Sequence, residues 1–363
     1  MSLRGTTTLI TTEADPHDPS LFPEMTTGDV LLGLYFKTMG MNTFRNLEVI
    51  KVRGRPPLIG RHSFSLTDDG VHVFPRLETL VRTKFREDWL IEGSDAQLTQ
   101  RADFGLAELD TQLGGGLTRG TSTLLAGSLG VGKTLMGLHF ALNGVRQGEP
   151  TLFLSFRETG IQLIQKANSF ALGEQLRAAL AAEGGLTLQR WEPVELDPDQ
   201  VAMRLLTSID QLGVRRVIID SVLELERAVS ESSSRERSTN YLSALLAVLR
   251  ERGVTLLAIK ETAKSVTSQL DFSADALSIL AENVLLMQHV AYRGMLHNVL
   301  SVLKMRFSAH DFTLREFRIV SPDGLRVLAP DEVGKEVMRG LIEQQGSSSL
   351  PHAITKTKMS SEG

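Results

Sequence analysis

The sequence predicts an α/β fold: a mainly parallel central sheet with helices on both faces and an antiparallel strand extension at its C-terminal end. Three observations predict it. Between Arg101 and Pro330, near-continuous Val/Ile/Leu runs alternate with amphipathic stretches, the pattern of buried strands joined by helical crossovers. A glycine-rich segment, Gly127 to Thr134, joins an early apolar run to the helical stretch after it. From Asn283 onward the apolar runs follow one another with only turn-like separators, which suits antiparallel strands.

The elements follow in order. Residues 1–28 are polar, rich in Thr, Pro and Asp, and read as disordered. Residues 29–75 alternate as a β-hairpin unit, 76–103 read as a linker, and 104–330 form the main domain. Within it, strands are expected at 121–127, 151–156, 216–221 and 254–262. Helices are expected at 134–148, 160–172 and 235–253, with further strands at 283–290, 298–306 and 314–320. Residues 331–363 read as a mobile tail carrying one short helical pattern at 332–345.

An internal repeat links the two β-rich regions. Residues 29–75 resemble 283–330: Val30-Leu31-Leu32 matches Val284-Leu285-Leu286, and Lys51-x-Arg53 matches Lys304-x-Arg306. Phe64 matches Phe317, and the turn Asp69-Gly70 matches Asp323-Gly324. The first copy has no glycine-rich loop and strand–helix alternation ahead of it, so it reads as the end of an upstream domain that the chain lacks.

Composition removes several function classes. Lys plus Arg is 39 and Asp plus Glu is 43, a net charge of −4, so no bulk attraction to nucleic acid or an anionic membrane is implied. Cysteine is absent, which excludes disulfides, thiol nucleophiles and zinc ribbons. No apolar run is long enough to span a bilayer and no secretory leader is evident, so a cytoplasmic location is expected.

The chemistry concentrates in Gly127-Ser128-Leu129-Gly130-Val131-Gly132-Lys133-Thr134, which fits G-x-x-x-x-G-K-[ST] between a strand and a helix. Such glycines let backbone N–H groups turn onto an anion, and the helix N-terminus adds its dipole. Lys133 then reaches the β- and γ-phosphates of ATP, and the Thr134 hydroxyl ligates Mg2+. A plain glycine turn would not explain a lysine directly after it. Asp220 ends an apolar strand, where a carboxylate faces the ligand crevice and helps hold the metal; the bland alternative is a helix cap. Glu158, after the next strand, either polarises the attacking water or charges a helix start.

Taken together, Phe104-Gly-Leu-x-x-Leu-Asp110-x-x-Leu-Gly-Gly-Gly116-Leu-x-x-Gly120, the loop just described and Phe153-Leu-Ser-Phe-Arg-Glu158-Thr resemble the RecA-like P-loop ATPases of the KaiC family. So do Ile219-Asp220-Ser221 and Lys304-Met-Arg306-Phe-Ser-Ala-His310-Asp311 followed by Arg315-Glu-Phe317. The resemblance covers about 104–330 as one domain, nearest the second domain of the family's two-domain members, and 29–75 as the end of a first. It implies a RecA-like ATPase in clock-type regulation or signal transduction. It also implies a homohexameric ring in which Lys304 and Arg306 reach a neighbour's γ-phosphate, and KaiB-like or signalling proteins as partners.

Two positions depart from the family pattern. The family pairs two Glu after its second strand, and the first is Arg157 here, which puts hydrolysis in question. Ser278 aligns with one of two adjacent phosphorylated positions, and Ile279 stands at the other, so only single-site autophosphorylation at Ser278 is open. A DNA-dependent RecA-type ATPase is disfavoured by the acidic balance. A nucleotide-dependent scaffold with little turnover is kept alive by Arg157.

Overall fold

The computed structural model describes residues 7–13, 17, 27–39, 42–82, 99–232, 235–262, 276–292 and 294–329. The tail expected at 331–363 and most of the segment expected to be disordered at 1–28 lie outside them. The chain forms two compact units, one built from 1–87, 195–207 and 227–245, the other from 88–194, 208–226 and 246–363.

In the first unit, β1 (Val30–Met39), β2 (Asn42–Val52), β3 (Arg61–Thr67) and β4 (Gly70–Phe74) form an antiparallel sheet in that order. Residues 29–75 are therefore two hairpins in one sheet, where the sequence suggested a single hairpin. The expected linker begins with a helix, α1 (Leu77–Arg82). Arg237 holds it by donating to Glu78 (2.8 and 3.1 Å) and to Asp199 (2.7 and 2.8 Å). The Leu77 N–H also donates to Asp199 (3.2 Å), and fully buried Tyr241 donates to the Pro198 carbonyl (2.7 Å). The helix that follows the sheet is thus anchored to later parts of the chain that the repeat argument did not foresee.

The second unit contains β5 (Arg101–Ala102), α2 (Ala107–Gln112), β6 (Leu117–Thr118), β7 (Ser122–Gly127), α3 (Lys133–Arg146), β8 (Thr151–Ser155), α4 (Gly160–Asn168) and α5 (Gly173–Ala181). After these come β9 (Leu186–Arg190), α6 (Pro198–Leu212), β10 (Arg216–Asp220), α7 (Val222–Ser232), α8 (Arg235–Glu251) and β11 (Thr255–Glu261), the residues of α6, α7 and α8 being divided between the two units. The chain continues through α9 (Ala276–Leu280), β12 (Asn283–Tyr292), β13 (Met295–Met305), β14 (Arg315–Val320) and β15 (Gly324–Val327). Nine strands make one sheet in the order β15-β14-β13-β12-β7-β11-β10-β8-β9. It is parallel from β12 to β9 and antiparallel from β12 to β15, as the alternation of runs predicts.

Side chains alternate across these strands. Leu125, Phe153, Ile218 and Leu257 share a core with Leu135, Leu138 and Leu142 of α3. The intervening Leu124, Leu152, Leu154, Val217 and Leu256 are equally buried, so both faces of the sheet are covered. The expected helix at 160–172 stops at Asn168, and its start is a capping box in which Thr159 and Gln162 satisfy each other's backbone N–H groups. The domain begins before Phe104, because β5 pairs with β6.

The two β-rich regions carry one ladder. Thr67 opposes Gly70 as Val320 opposes Gly324, Phe64 opposes Val73 as Phe317 opposes Val327, and Leu47 opposes His62 as Leu300 opposes Arg315. Both first hairpins are irregular at one place, between Leu31 and Leu32 and between Val284 and Leu285. Leu31, not Val30, opposes Lys51, as Val284 opposes Lys304, so the sequence match in the first strand shifts by one residue.

On α3, His139 accepts the Leu325 N–H through Nε2 (3.2 Å), and burial pushes its imidazole down to about 4. The folded chain therefore binds fewer protons than the unfolded chain between pH 4 and about 6.5, and this contribution to stability is lost as pH falls through that window. Asp110 and Asp199, raised to about 6 by burial, act in the opposite sense below pH 6. His139→Gln should remove about 2 kcal/mol of the stability change between pH 7 and pH 5, read from urea midpoints. An unchanged difference would show that His139 titrates alike in the folded and unfolded chains.

Candidate functional site

Parallel strands end together, and here four of them deliver chemistry to one crevice. Glu261 of β11 opposes Gly127 of β7, and Asp220 of β10 opposes Ser155 of β8. Around these ends lies a cavity of about 460 Å³, lined by Gly130, Gly132, Lys133, Thr134, Arg157, Glu158, Lys166 and Asp220 among others.

The loop from Gly127 to Thr134 is set by close packing. A Cβ on Gly127 would collide with the Met287 carbonyl of β12, which also accepts the Ser128 N–H (3.2 Å). Gly132 has φ 100°, the left-handed region that favours glycine, and directly precedes α3. Val131 is buried in the core whereas Leu129 is exposed, so the loop is pinned on one side and open on the other. No side chain caps the first turn of α3 and no acidic residue stands in it. A helix start of this kind is an anion site.

Lys133 donates to the carbonyls of Gly127 (3.0 Å) and Ser128 (2.6 Å). Burial lowers its pKa, offset by the charges of Glu261 and Asp220. The Thr134 hydroxyl donates to Asp220 Oδ2 (2.7 Å), which brings together the two residues expected to share a metal. Burial raises the Asp220 pKa, with the Thr134 bond opposing it. Burial disfavours the charged forms of this ammonium and this carboxylate, and a polyphosphate and a hard cation are the groups that would favour them. The residues present fit ATP with Mg2+.

The remaining lining is less legible in the sequence. Glu158 is ion-paired with Lys166 of α4, and its Oε2 is buried without a hydrogen-bond partner. Arg157 donates to Glu224 (2.9 Å) and Glu261 (3.1 Å). Neither Lys166 nor Glu224 was expected here. Lys166 stands on the helix after Glu158, and Glu224 comes 67 residues after Arg157, so only the folded chain brings them in.

The crevice does not include the late basic pair or the serine. Lys304 opposes Val284, which opposes Leu124, three residues before the end of β7 and about 10 Å from the loop at 3.3 Å per residue. Its ammonium donates to the carbonyls of Ser278 (3.1 Å), Ile279 (3.1 Å) and Ala281 (2.7 Å), while Arg306 is exposed. Ser278 is only 7% exposed. Among the described residues, no helix is long and apolar enough to cross a membrane.

Comparison with known proteins agrees with this geometry. The family model described as the KaiC ATPase matches residues 102–332. The chain is similar to the circadian clock oscillator protein KaiC of a Picosynechococcus species, with 26% identity over 275 residues, 76% of this chain and 49% of the relative. It is similar to the protein of that name from Rippkaea orientalis, with 25% identity over 322 residues, 88% of this chain and 58% of the relative. The Synechococcus elongatus protein of that name is 25% identical over 280 residues, 76% of this chain and 49% of the relative. The chain spans about half the length of these relatives.

Proposed function

From the premise that the chain belongs to the KaiC ATPase family, a RecA-like P-loop group, we propose that it is an ATP-binding regulatory switch with slow turnover. The observation that carries this reading is the pairing of Glu158 with Lys166 beside Arg157. A general base must have an oxygen free to accept the proton of the attacking water. A carboxylate held by an ammonium at one oxygen and buried at the other is occupied, and the guanidinium next to it cannot accept a proton.

ATP with Mg2+, when bound, supplies the transferable phosphoryl group and the cation that offsets its charge. The chain's own residues do the rest. The loop from Gly127 and the open start of α3 hold phosphate oxygens, Lys133 moves from its carbonyls to the β- and γ-phosphates, and Thr134 and Asp220 hold the cation. Glu158 is the residue placed to orient a water molecule. In Lys166→Met, Glu158 is released, and phosphate release should rise about tenfold or more while ATP affinity stays within about twofold. A loss of affinity without faster turnover would make Lys166 a phosphate ligand and leave the slow-switch reading without its cause.

The same reading includes assembly. Lys304 and Arg306 are far from their own loop, as groups acting on a neighbour must be, and we place the working form as a homohexamer that responds to signalling or clock-type partners in the cytoplasm. Arg306→Ala should reduce both ATP-driven assembly and turnover, and mixing it with Lys133→Ala should restore part of the activity at mixed interfaces. Light scattering with and without ATP reads the first and phosphate release the second. Unaltered assembly in Arg306→Ala would return Arg306 to the role of a solvated edge-strand charge. Ser278 has no part in this reading as an acceptor, since it is buried outside the crevice.

A further inference from the structure

The N-terminal sheet repeats the ladder of β12–β15 but not its surroundings. In the second unit the first strand of the ladder, β12, pairs with β7 from Asn283 to Met287. The matching edge in the first unit, Val30 to Leu34 of β1, has no strand beside it among the described residues. Leu285 and Met287 are 0% exposed, whereas their counterparts Leu32 and Leu34 are 49% and 63% exposed. Val30 and Phe36 continue the same exposed face. A strand edge that meets no other strand among the described residues, with the apolar side chains of Val30, Leu32, Leu34 and Phe36 exposed beside it, is a template for another strand.

The charges on β1 say which strand. Asp29 stands just before it, exposed and ion-paired with Arg53 (3.2 Å), and Lys37 stands exposed near its end. Antiparallel pairing of two copies about a two-fold axis at Gly33 sets Asp29 opposite Lys37 twice. It also sets Val30 opposite Phe36 and Leu32 opposite Leu34, with like faces aligned. A parallel arrangement of the same two strands would bring Asp29 to Asp29 and Lys37 to Lys37. We propose that β1 is a homodimerisation edge, pairing antiparallel with β1 of a second copy about Gly33 to make one eight-stranded sheet.

This interface needs no nucleotide, which separates it from the ring assembly above. The full chain, in the Lys133→Ala background and without ATP, should show a monomer–dimer equilibrium in sedimentation across a concentration series. Leu34→Asp should be monomeric throughout. Asp29→Lys and Lys37→Asp should each weaken association about tenfold, because each puts like charges opposite one another at two symmetric places. The double variant should recover to within about twofold of the parent. These positions are exposed, so the charge variants leave the core intact. A parent chain that stays monomeric, a Leu34→Asp chain that still dimerises, or a double variant no better than the singles would overturn the proposal.

Discussion

Lys133→Ala is expected to lower ATP affinity about 100-fold, a loss of about 3 kcal/mol, with the fold retained. The ammonium is the only basic group within the Gly127–Thr134 loop, and it is partly desolvated. It rests on the carbonyls of Gly127 and Ser128, two acceptors that water can serve when the side chain is cut back. Charge-assisted bonds to phosphate oxygens have no such substitute. Titration with a fluorescent nucleotide measures the affinity and thermal unfolding checks the fold. Unchanged affinity in a folded variant would show that nucleotide does not bind at this loop.

Arg216→Met should be the most destabilising single change, about 3–5 kcal/mol, at the opposite end of β10 from Asp220. Arg216 is fully buried. It pairs with Glu149, donates to the carbonyls of Asp103 (2.7 Å) and Phe140 (3.2 Å), and donates to Gln147 (2.8 Å). Its guanidinium also lies 4.6 Å from the centre of the Phe140 ring. Methionine keeps much of the bulk but leaves the Glu149 carboxylate, which is 7% exposed, with Arg119 as its remaining ionic partner. Part of the cost is the lost buried pairing and the rest is the lost bonds to the carbonyls, so Arg216→Met with Glu149→Leu should recover a part of it. Urea denaturation of the two variants makes the comparison, and a double variant as unstable as the single would assign the cost to lost packing and backbone bonds.

The parts of the molecule legible in the sequence are those set by local pattern. β7, β8, β10 and β11 are short apolar runs, and a strand buried on both faces has few other ways to be written. Lys133, Thr134 and Asp220 were legible because a strand–loop–helix junction fixes what the motif can be. The partners were not. The bonds from Arg157 to Glu224 and Glu261, and the pairing of Glu158 with Lys166, depend on strand order and helix placement, which periodicity does not encode. The anchoring of α1 by Arg237 and Asp199 bridges more than a hundred residues. The one-residue shift in the repeat lies in the sequence match, since the irregular step falls at the same place in both ladders and the apolar run Val30-Leu31-Leu32 can be laid on Val284-Leu285-Leu286 in either register.

The seat of Lys304 has a consequence for any assembled form. One ammonium cannot lie on the carbonyls of Ser278, Ile279 and Ala281 and on a neighbour's phosphate together. Ring closure on the proposed model and the present end of α9 are therefore alternatives, linked as an exclusive-or gate. Ring closure of that kind would leave the carbonyl end of the short helix without its ammonium, so assembly would be opposed by the very bonds that hold the free side chain in place.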